Sequence, residues 1–205
     1  MQTRPYTELF ELIQSLFGAN FAASEAARVK SLVNRRATLA YRAHEYWPRF
    51  LKVGEERGIV SGVIPFTQDS LSEIDTFLRV HRTQPYYQSS SQNYDFYVTG
   101  DGANLVIGAD TATSAWVTYK SVNDAIYGTG ATDTSNVPRE WFEYLAYGAY
   151  SDSMRMDGQT EKAAIADMEA NNILDTELIR VDQRVPSFLS TQISTNANQQ
   201  NRNWS

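Results

Sequence analysis

The sequence predicts a mainly helical α+β fold. In it, a helical bundle of N-terminal helices and a C-terminal αα-hairpin carries an inserted small antiparallel β domain and an extended C-terminal tail. Three observations predict this: helical periodicity near both ends of the chain, strand and turn signals between them, and a polar final segment. The expected units are a helical core of residues 1–57 and 137–186, a β meander or barrel of residues 58–136, and a tail of residues 187–205.

The composition limits the class of protein. A length of 205 residues suits one domain with a large insertion, and the absence of cysteine excludes disulfides and thiolate chemistry. No apolar run reaches about 18 residues and the N-terminus lacks a secretory pattern, so we expect neither a membrane span nor secretion by that route. The 12 tyrosines favour surfaces that meet other proteins, because a tyrosine ring buries area while its hydroxyl keeps a polar partner.

The charge is segregated along the chain. Residues 23–57 carry eight basic and four acidic side chains, a net of +4, whereas residues 58–136 carry three and eight and residues 137–186 carry five and ten, a net of −5 each. A basic helical segment can therefore dock against acidic ones, within one chain or between copies. Nucleic-acid binding is the alternative interpretation of the basic residues Arg28, Lys30, Arg35, Arg36 and Arg42, but their spacing distributes them around the helix.

Two helices are predicted at the N-terminus. The first covers residues 7–17, with Thr7 as its cap and Gly18 as the glycine that ends it. The second covers residues 24–46, because apolar residues recur with the helical period until Pro48 stops them.

A third helix, here called the hub helix, is expected at residues 137–156, with Asn136 as its cap and Pro138 in its first turn. Its apolar residues form two faces: Trp141, Tyr144, Leu145 and Gly148 on one, and Phe142, Ala146 and Ala149 on the other. Two apolar faces predict a helix that is contacted from two sides.

A last helix should follow a turn at Asp157-Gly158 and begin at Thr160. It carries Ala163, Ala166, Ala170 and Ile173 on one face, with Ile165 and Met168 beside them. We expect this Ala-rich face to pack on the Ala/Gly face of the hub helix as an αα-hairpin.

The β domain is predicted from short alternating segments. Strands are expected at residues 59–60, 63–64 and 74–81, the last with Ile74, Thr76, Leu78 and Val80 on its apolar face. Three more, at residues 94–99, 104–107 and 115–119, should form a meander whose first turn is Gly100-Asp-Gly102.

No catalytic site stands out. His44 is expected at a surface or interface and His81 at a polar rim. Asp152, Asp157 and Glu161 could bind a cation at the αα turn, and Asp69, Glu73 and Asp75 could contain an acid/base pair, but solvated charges are the commoner case. We therefore assign no catalytic residue, cofactor or metal site, and a carboxylate-dependent hydrolase remains the enzymatic alternative.

The tail contrasts with the rest of the chain. Residues 187–205 contain thirteen Ser, Thr, Asn or Gln and one charged residue, which is too little apolar surface for a core. We expect the tail to become ordered against another chain through Phe188, Leu189, Ile193, Arg202 and Trp204.

The order of elements resembles the head-to-tail adaptor, or connector, proteins of tailed bacteriophages over residues 6–182. The similarity lies in the N-terminal helices, the β insertion, the Pro-started helix with Trp141, Gly148 and Ala149, and the Ala-rich helix after Asp157-Gly158. The segments 74–80, 97–102 and 116–119 also resemble the inserted β domain of that family.

The resemblance implies a structural virion protein without chemistry, assembled in the host cytoplasm and located in the neck of the particle. Adaptors of this family form a ring, typically dodecameric, that joins the portal to the tail nozzle or other tail proteins and lets DNA pass without specific binding. The tail would grip the portal. As candidate subunit-interface residues we assign Arg35, Arg36, Arg42, Trp141, Tyr147 and Tyr150. Another neck or tail component, such as a tail-completion or nozzle-associated protein, is the closest alternative.

Overall fold

The computed structural model describes residues 2–18, 20–85, 93–106, 112–128 and 135–183. It confirms the α+β class: these ranges contain four α-helices and eight strands, all paired antiparallel. The chain divides into a helical unit, Met1–His44 with Ile126–Ser205, and a β unit, Glu45–Ala125. The predicted tail, with its five candidate partner-binding residues, lies outside the described residues.

The elements have the following bounds. In chain order they are β1 (Thr3–Pro5), α1 (Tyr6–Phe17), α2 (Ala23–Arg42), β2 (Leu51–Gly58), β3 (Val63–Pro65), β4 (Ile74–His81), β5 (Phe96–Thr99), β6 (Gly102–Leu105), β7 (Ser114–Ser121), β8 (Asn136–Pro138), a 3₁₀ turn (Arg139–Trp141), α3 (Phe142–Met156) and α4 (Thr160–Asp182).

Both boundaries of the β unit lie earlier in the chain than the predicted residues 58 and 136. At the first boundary, β2 pairs with β7 and so belongs to the β unit. At the second, the Tyr127 N–H donates to Asn34 Oδ1 at 2.8 Å, and Asn34 Nδ2 donates to the Tyr127 carbonyl at 2.9 Å. Long-range hydrogen bonds therefore decide where the units begin, and periodicity does not report them.

The N-terminal helices differ from the prediction at their ends. Helix α1 begins at Tyr6, so Thr7 lies inside it instead of capping it, whereas Gly18 adopts the expected left-handed conformation with φ +68°. Helix α2 ends at Arg42, four residues before the predicted Tyr46. Its N-terminus is closed by the Glu25 carboxylate, which accepts a hydrogen bond from the Ala22 N–H at 2.9 Å.

The hub helix is α3, preceded by the 3₁₀ turn, and it packs against α1, α2 and α4. Residues from both predicted apolar faces are buried, as two-sided packing requires. The predicted cap is wrong, because Asn136 and Pro138 belong to β8, which pairs with β1. The predicted contact of Gly148 is also corrected, since its nearest neighbours are side-chain atoms of Arg36 on α2.

Helix α4 follows the turn at Asp157-Gly158 and forms the predicted αα-hairpin with α3. Ala163, Ala166 and Ala170 are buried on its inner face, and short side chains there allow the two helices to approach closely. The helix continues to Asp182.

The β unit contains two three-stranded sheets, with strand orders β2-β7-β4 and β3-β6-β5. The predicted β5–β6 hairpin is present, with Thr99 opposite Gly102. The predicted meander is wrong, however, because β7 leaves β6 and pairs between β2 and β4. The core combines apolar side chains from both sheets: Ile64, Ile74, Phe77, Val80, Tyr94, Ala103, Leu105, Ala115, Val117 and Tyr119.

Bulges explain two strand-level differences from the sequence prediction. Strand β4 has the predicted bounds, but register shifts along it turn Phe77 into the core where simple alternation placed Leu78. Strand β2 was not predicted, because four of its eight residues are charged and the chain bulges near Gly54, which has φ +60°.

Candidate functional site

Two of the six predicted subunit-interface residues are buried in the interior of the helical unit. The Trp141 side chain is fully buried, and Arg36 faces the interior from α2. Neither is available to a neighbouring copy, so these two assignments are corrected. An arginine can be buried only where carboxylates from distant parts of the chain pair with it. Helical periodicity does not report those carboxylates, so it could not distinguish an inward arginine from an outward one.

Arg36 ties three helices together. Its Nε donates to Asp152 Oδ2 at 2.9 Å, and its Nη2 donates to Asp152 Oδ1 at 2.7 Å and to Asp167 Oδ1 at 2.8 Å. Burial alone would lower the pKa of Arg36, but the hydrogen bonds to the two carboxylates raise it above its ordinary value. Arg36 is thus a charged structural residue that links α2 to α3 and α4.

The predicted cation cluster is also explained by arginines of α2. Asp152 pairs with Arg36, and the Asp157 carboxylate accepts a hydrogen bond at 3.0 Å from Arg28, which also donates to Ser153 Oγ at 2.8 Å. Glu161 is exposed. Within the described ranges, no group of three or more His, Asp or Glu side chains is arranged to hold a metal ion.

The other basic candidates on α2 face outward. Arg35 and Arg42 are exposed, and neither has an ion-pair partner among the residues that the structure describes. Tyr147 and Tyr150 are half-buried, with the Tyr150 ring edge-on to Phe17 at 4.9 Å between centroids. The α2 helix therefore divides its basic residues between an inner structural set and an outer set.

An exposed apolar surface on α4 is the most unusual feature of the helical unit. Ile165, Met168 and Ile179 are 67%, 61% and 59% exposed, and we call them the outer stripe of α4. Their spacing of three and eleven residues places them on one side of the helix, opposite the buried alanines. The sequence analysis placed Ile165 and Met168 next to the alanine face. Their helical positions differ from those of the alanines, and this difference in position is the signal that could have identified them as exposed.

In the β unit, the most completely buried charge is Arg57. Its Nη2 donates to Glu55 Oε2 at 2.8 Å and to the Tyr119 hydroxyl at 2.5 Å, and its guanidinium stacks 4.7 Å from the Tyr119 ring centre. Burial and the Glu55 carboxylate raise the pKa of Tyr119 to about 12. This group ties β2 to β7, and the tyrosine remains protonated at neutral pH.

The two histidines are structural in this arrangement. His81 is only 1% exposed, with Nε2 3.1 Å from Thr118 Oγ1, and burial lowers its pKa, so it is a neutral core residue and the predicted polar-rim position is wrong. His44 lies 2.7 Å from Asp182 Oδ1 within the helical unit. The carboxylates Asp69, Glu73 and Asp75 are all exposed.

The β unit also has exposed apolar residues. Tyr97 and Val98 lie on β5, at the edge of its sheet, and are 59% and 53% exposed; Val106 follows β6.

Among the described residues, no helix is long and apolar enough to cross a membrane. No known family pattern matches the sequence, and no characterised protein matches it significantly.

Proposed function

We propose that this protein is a structural subunit of the neck of a tailed bacteriophage, a head-to-tail adaptor whose copies form a ring between the portal and the tail. The outer stripe of α4 carries the proposal. A helix that buries one apolar face in its own chain and exposes a second one is suited to a subunit that another protein covers.

The order of elements supports the same proposal. Two N-terminal helices, a β unit and an αα-hairpin follow one another as they do in the adaptor proteins that the sequence resembles. The functional groups of the described residues support a structural role as well. Arg36, Arg57 and the two histidines each have partners that tie elements together.

The net charge suits a channel through which DNA moves. A chain of net charge −6 repels phosphates on average, so a ring of such chains would let DNA pass without holding it. Retention of duplex DNA by the assembled protein at low salt would contradict this part of the proposal.

The test is assembly on a portal. The purified chain and the portal protein encoded in the same genome are analysed by size-exclusion chromatography with light scattering, separately and mixed. We expect the mixture to form a complex containing many copies of this chain per portal ring. A chain that stays monomeric and separate from the portal would overturn the adaptor role. Binding to a tail component instead would identify another neck or tail protein.

A further inference from the structure

We infer that copies of this chain contact each other through two different helix surfaces, the outer stripe of α4 on one copy and the outer face of α2 on the next. We define the outer face of α2 by Arg35, Leu39 and Arg42. This inference rests on the proposed function, because it specifies the partner of the exposed stripe. The occupant is a second copy of this chain.

Both surfaces expose apolar area. On α4 the outer stripe extends from residue 165 to residue 179, 14 steps along the helix, which is about 21 Å at 1.5 Å per residue. On α2, Leu39 is 46% exposed between Arg35 and Arg42. Both surfaces belong to the helical unit and both are exposed in one copy, so neither covers the other.

The two helices carry opposite net charges. Helix α2 has five basic residues and one acidic residue, a net of +4, whereas α4 has two basic and six acidic residues, a net of −4. Some of these charges are neutralised inside the unit, as in the Arg36 pairs. Around the apolar residues of the two surfaces, the exposed charges are Arg35 and Arg42 on α2, a net of +2, and Glu161, Lys162, Glu169 and Asp175 on α4, a net of −2.

The order of charged and apolar residues also matches between the two surfaces. On α2, Arg35 lies four residues before Leu39, and Arg42 lies three residues after it. On α4, Ile165 lies between Glu161 and Glu169, four residues to either side. Each helix therefore presents an apolar residue between two like charges about one helical turn away, basic on α2 and acidic on α4. Lys162, three residues before Ile165, offsets one of the α4 carboxylates and leaves the α4 surface acidic overall.

Charge also excludes the simplest alternative. If α4 packed on α4 of another copy, two surfaces of net charge −2 would meet, since Lys162 offsets only one of the three carboxylates, and like charges across an interface are costly. Contact between two different surfaces is heterologous, so repeated contacts produce a ring when the rotation closes. The interface therefore has the type of geometry that an adaptor ring requires.

Disulfide trapping tests the contact even where free copies associate weakly. The chain has no cysteine, so Leu39→Cys and Ile165→Cys can be made singly in the full chain. Mixed under mild oxidation, the two variants should give a heterodimer roughly tenfold or more faster than the control pair Val60→Cys with Ile165→Cys, because docking raises the effective concentration of the thiols. Val60 is a matched exposed apolar residue in the β unit, at 65% exposure.

Several outcomes would overturn the inference. Homodimers of the Ile165→Cys variant formed at the heterodimer rate would mean that α4 packs on itself. Equal rates for the control pair would mean that α2 and α4 do not dock. Protection of Ile165→Cys only when portal is added would assign the stripe to the portal.

Charge reversal gives a second test in solution. The variant Arg35→Glu/Arg42→Glu and the variant Glu161→Arg/Glu169→Arg should each lose cross-linking at the Leu39→Cys and Ile165→Cys positions. Mixing the two variants should restore it, because each basic surface again meets an acidic one. Failure of the mixture to recover would contradict the inference.

The two proposals can fail separately. Portal binding without trapping between α2 and α4 would leave the adaptor role standing and remove this interface. Trapping between α2 and α4 in a chain that binds no portal would keep the interface and remove the adaptor role.

Discussion

At the scale of single residues, the arginines on α2 show how one segment serves two purposes. Arg36 points inward and Arg28 is half-buried, and both neutralise carboxylates at the α3–α4 hairpin, while Arg35 and Arg42 are exposed. Adjacent positions on a helix are 100° apart, so neighbours in sequence such as Arg35 and Arg36 have different surroundings.

The first prediction concerns Arg36. The Arg36→Met variant removes both hydrogen bonds to the buried Asp152 carboxylate and leaves it only the distant Arg155 Nη1, 3.9 Å away, so we expect it to lower the free energy of unfolding by about 3–5 kcal/mol. Urea titration followed by far-UV circular dichroism measures this loss. The control is Arg35→Met, an exposed neighbour on the same helix, which should change stability by less than about 0.5 kcal/mol. Equal effects of the two substitutions would contradict a structural role for the Arg36 cluster.

The second prediction concerns pH. Burial alone would raise the pKa of Asp167, but hydrogen bonding and charge from Arg36, with Arg155, lower it below its ordinary value. A carboxyl whose pKa is lowered by folding contributes stability above its unfolded pKa of about 3.9 and loses it as the pH falls through the folded value. We therefore expect wild-type stability to decrease below about pH 4, and Asp167→Asn to make this decrease shallower.

Urea midpoints measured across that acid range test the pH prediction. Glu169→Gln, which removes an exposed carboxylate from the same helix, is the control and should leave the wild-type pH dependence nearly unchanged. An Asp167→Asn profile as steep as that of the wild type would mean that Asp167 is not the group responsible.

At the scale of elements, the β5–β6 hairpin requires a glycine at position 102 but not at position 100. Gly102 has φ +144°, and a methyl group there would lie 2.1 Å from the Ile64 carbonyl oxygen on β3. At Gly100, in the same turn, a methyl group would meet nothing within 4 Å. The close approach of β6 to β3 therefore requires the absence of a side chain at Gly102 alone.

The third prediction follows from this contact. Gly102→Ala should destabilise the protein by about 1–3 kcal/mol from backbone strain alone, with a further loss because β3 must move. Gly100→Ala, the control, should be nearly neutral. Thermal unfolding monitored by near-UV circular dichroism, which reports on the packing of aromatic side chains, measures both. A neutral Gly102→Ala would show that β3 and β6 do not approach so closely.

The boundaries of the helices also depend on the elements that pack or pair nearby. The hub helix was predictable because apolar side chains mark both of its faces. Its start was not, because Asn136 and Pro138 pair with β1 across most of the chain length. Tertiary pairing outweighs a local capping signal when the backbone groups of both strands gain hydrogen bonds.

At the scale of the whole molecule, each of the two units leaves apolar surface exposed in a single copy of the chain. The outer stripe of α4 and the exposed residues of β5 are apolar areas of two separate units. Residues 187–205 add a segment with too little apolar content to form its own core. An assembly subunit accounts for these features together.

The fourth prediction assigns the tail its role. Deleting residues 187–205 should abolish portal binding, while the free energy of unfolding stays within about 0.5 kcal/mol of the wild-type value because the core elements remain. Portal binding is measured by co-sedimentation, and stability by urea titration. A chain in which these residues keep their composition in shuffled order is the control and should also fail to bind. Portal binding by the deletion variant would refute the assignment.

The sequence alone determined the class of fold, the two apolar faces of the hub helix, the αα-hairpin and the β5–β6 turn. Each of these depends on residues close together in the chain, so periodicity and turn residues report them. Only the tertiary structure decided which basic residues face inward, where β7 pairs, and which side of α4 remains exposed. Those outcomes depend on partners far away in sequence, since the partner's position, and not the residue type, determines whether a charge or an apolar side chain is buried.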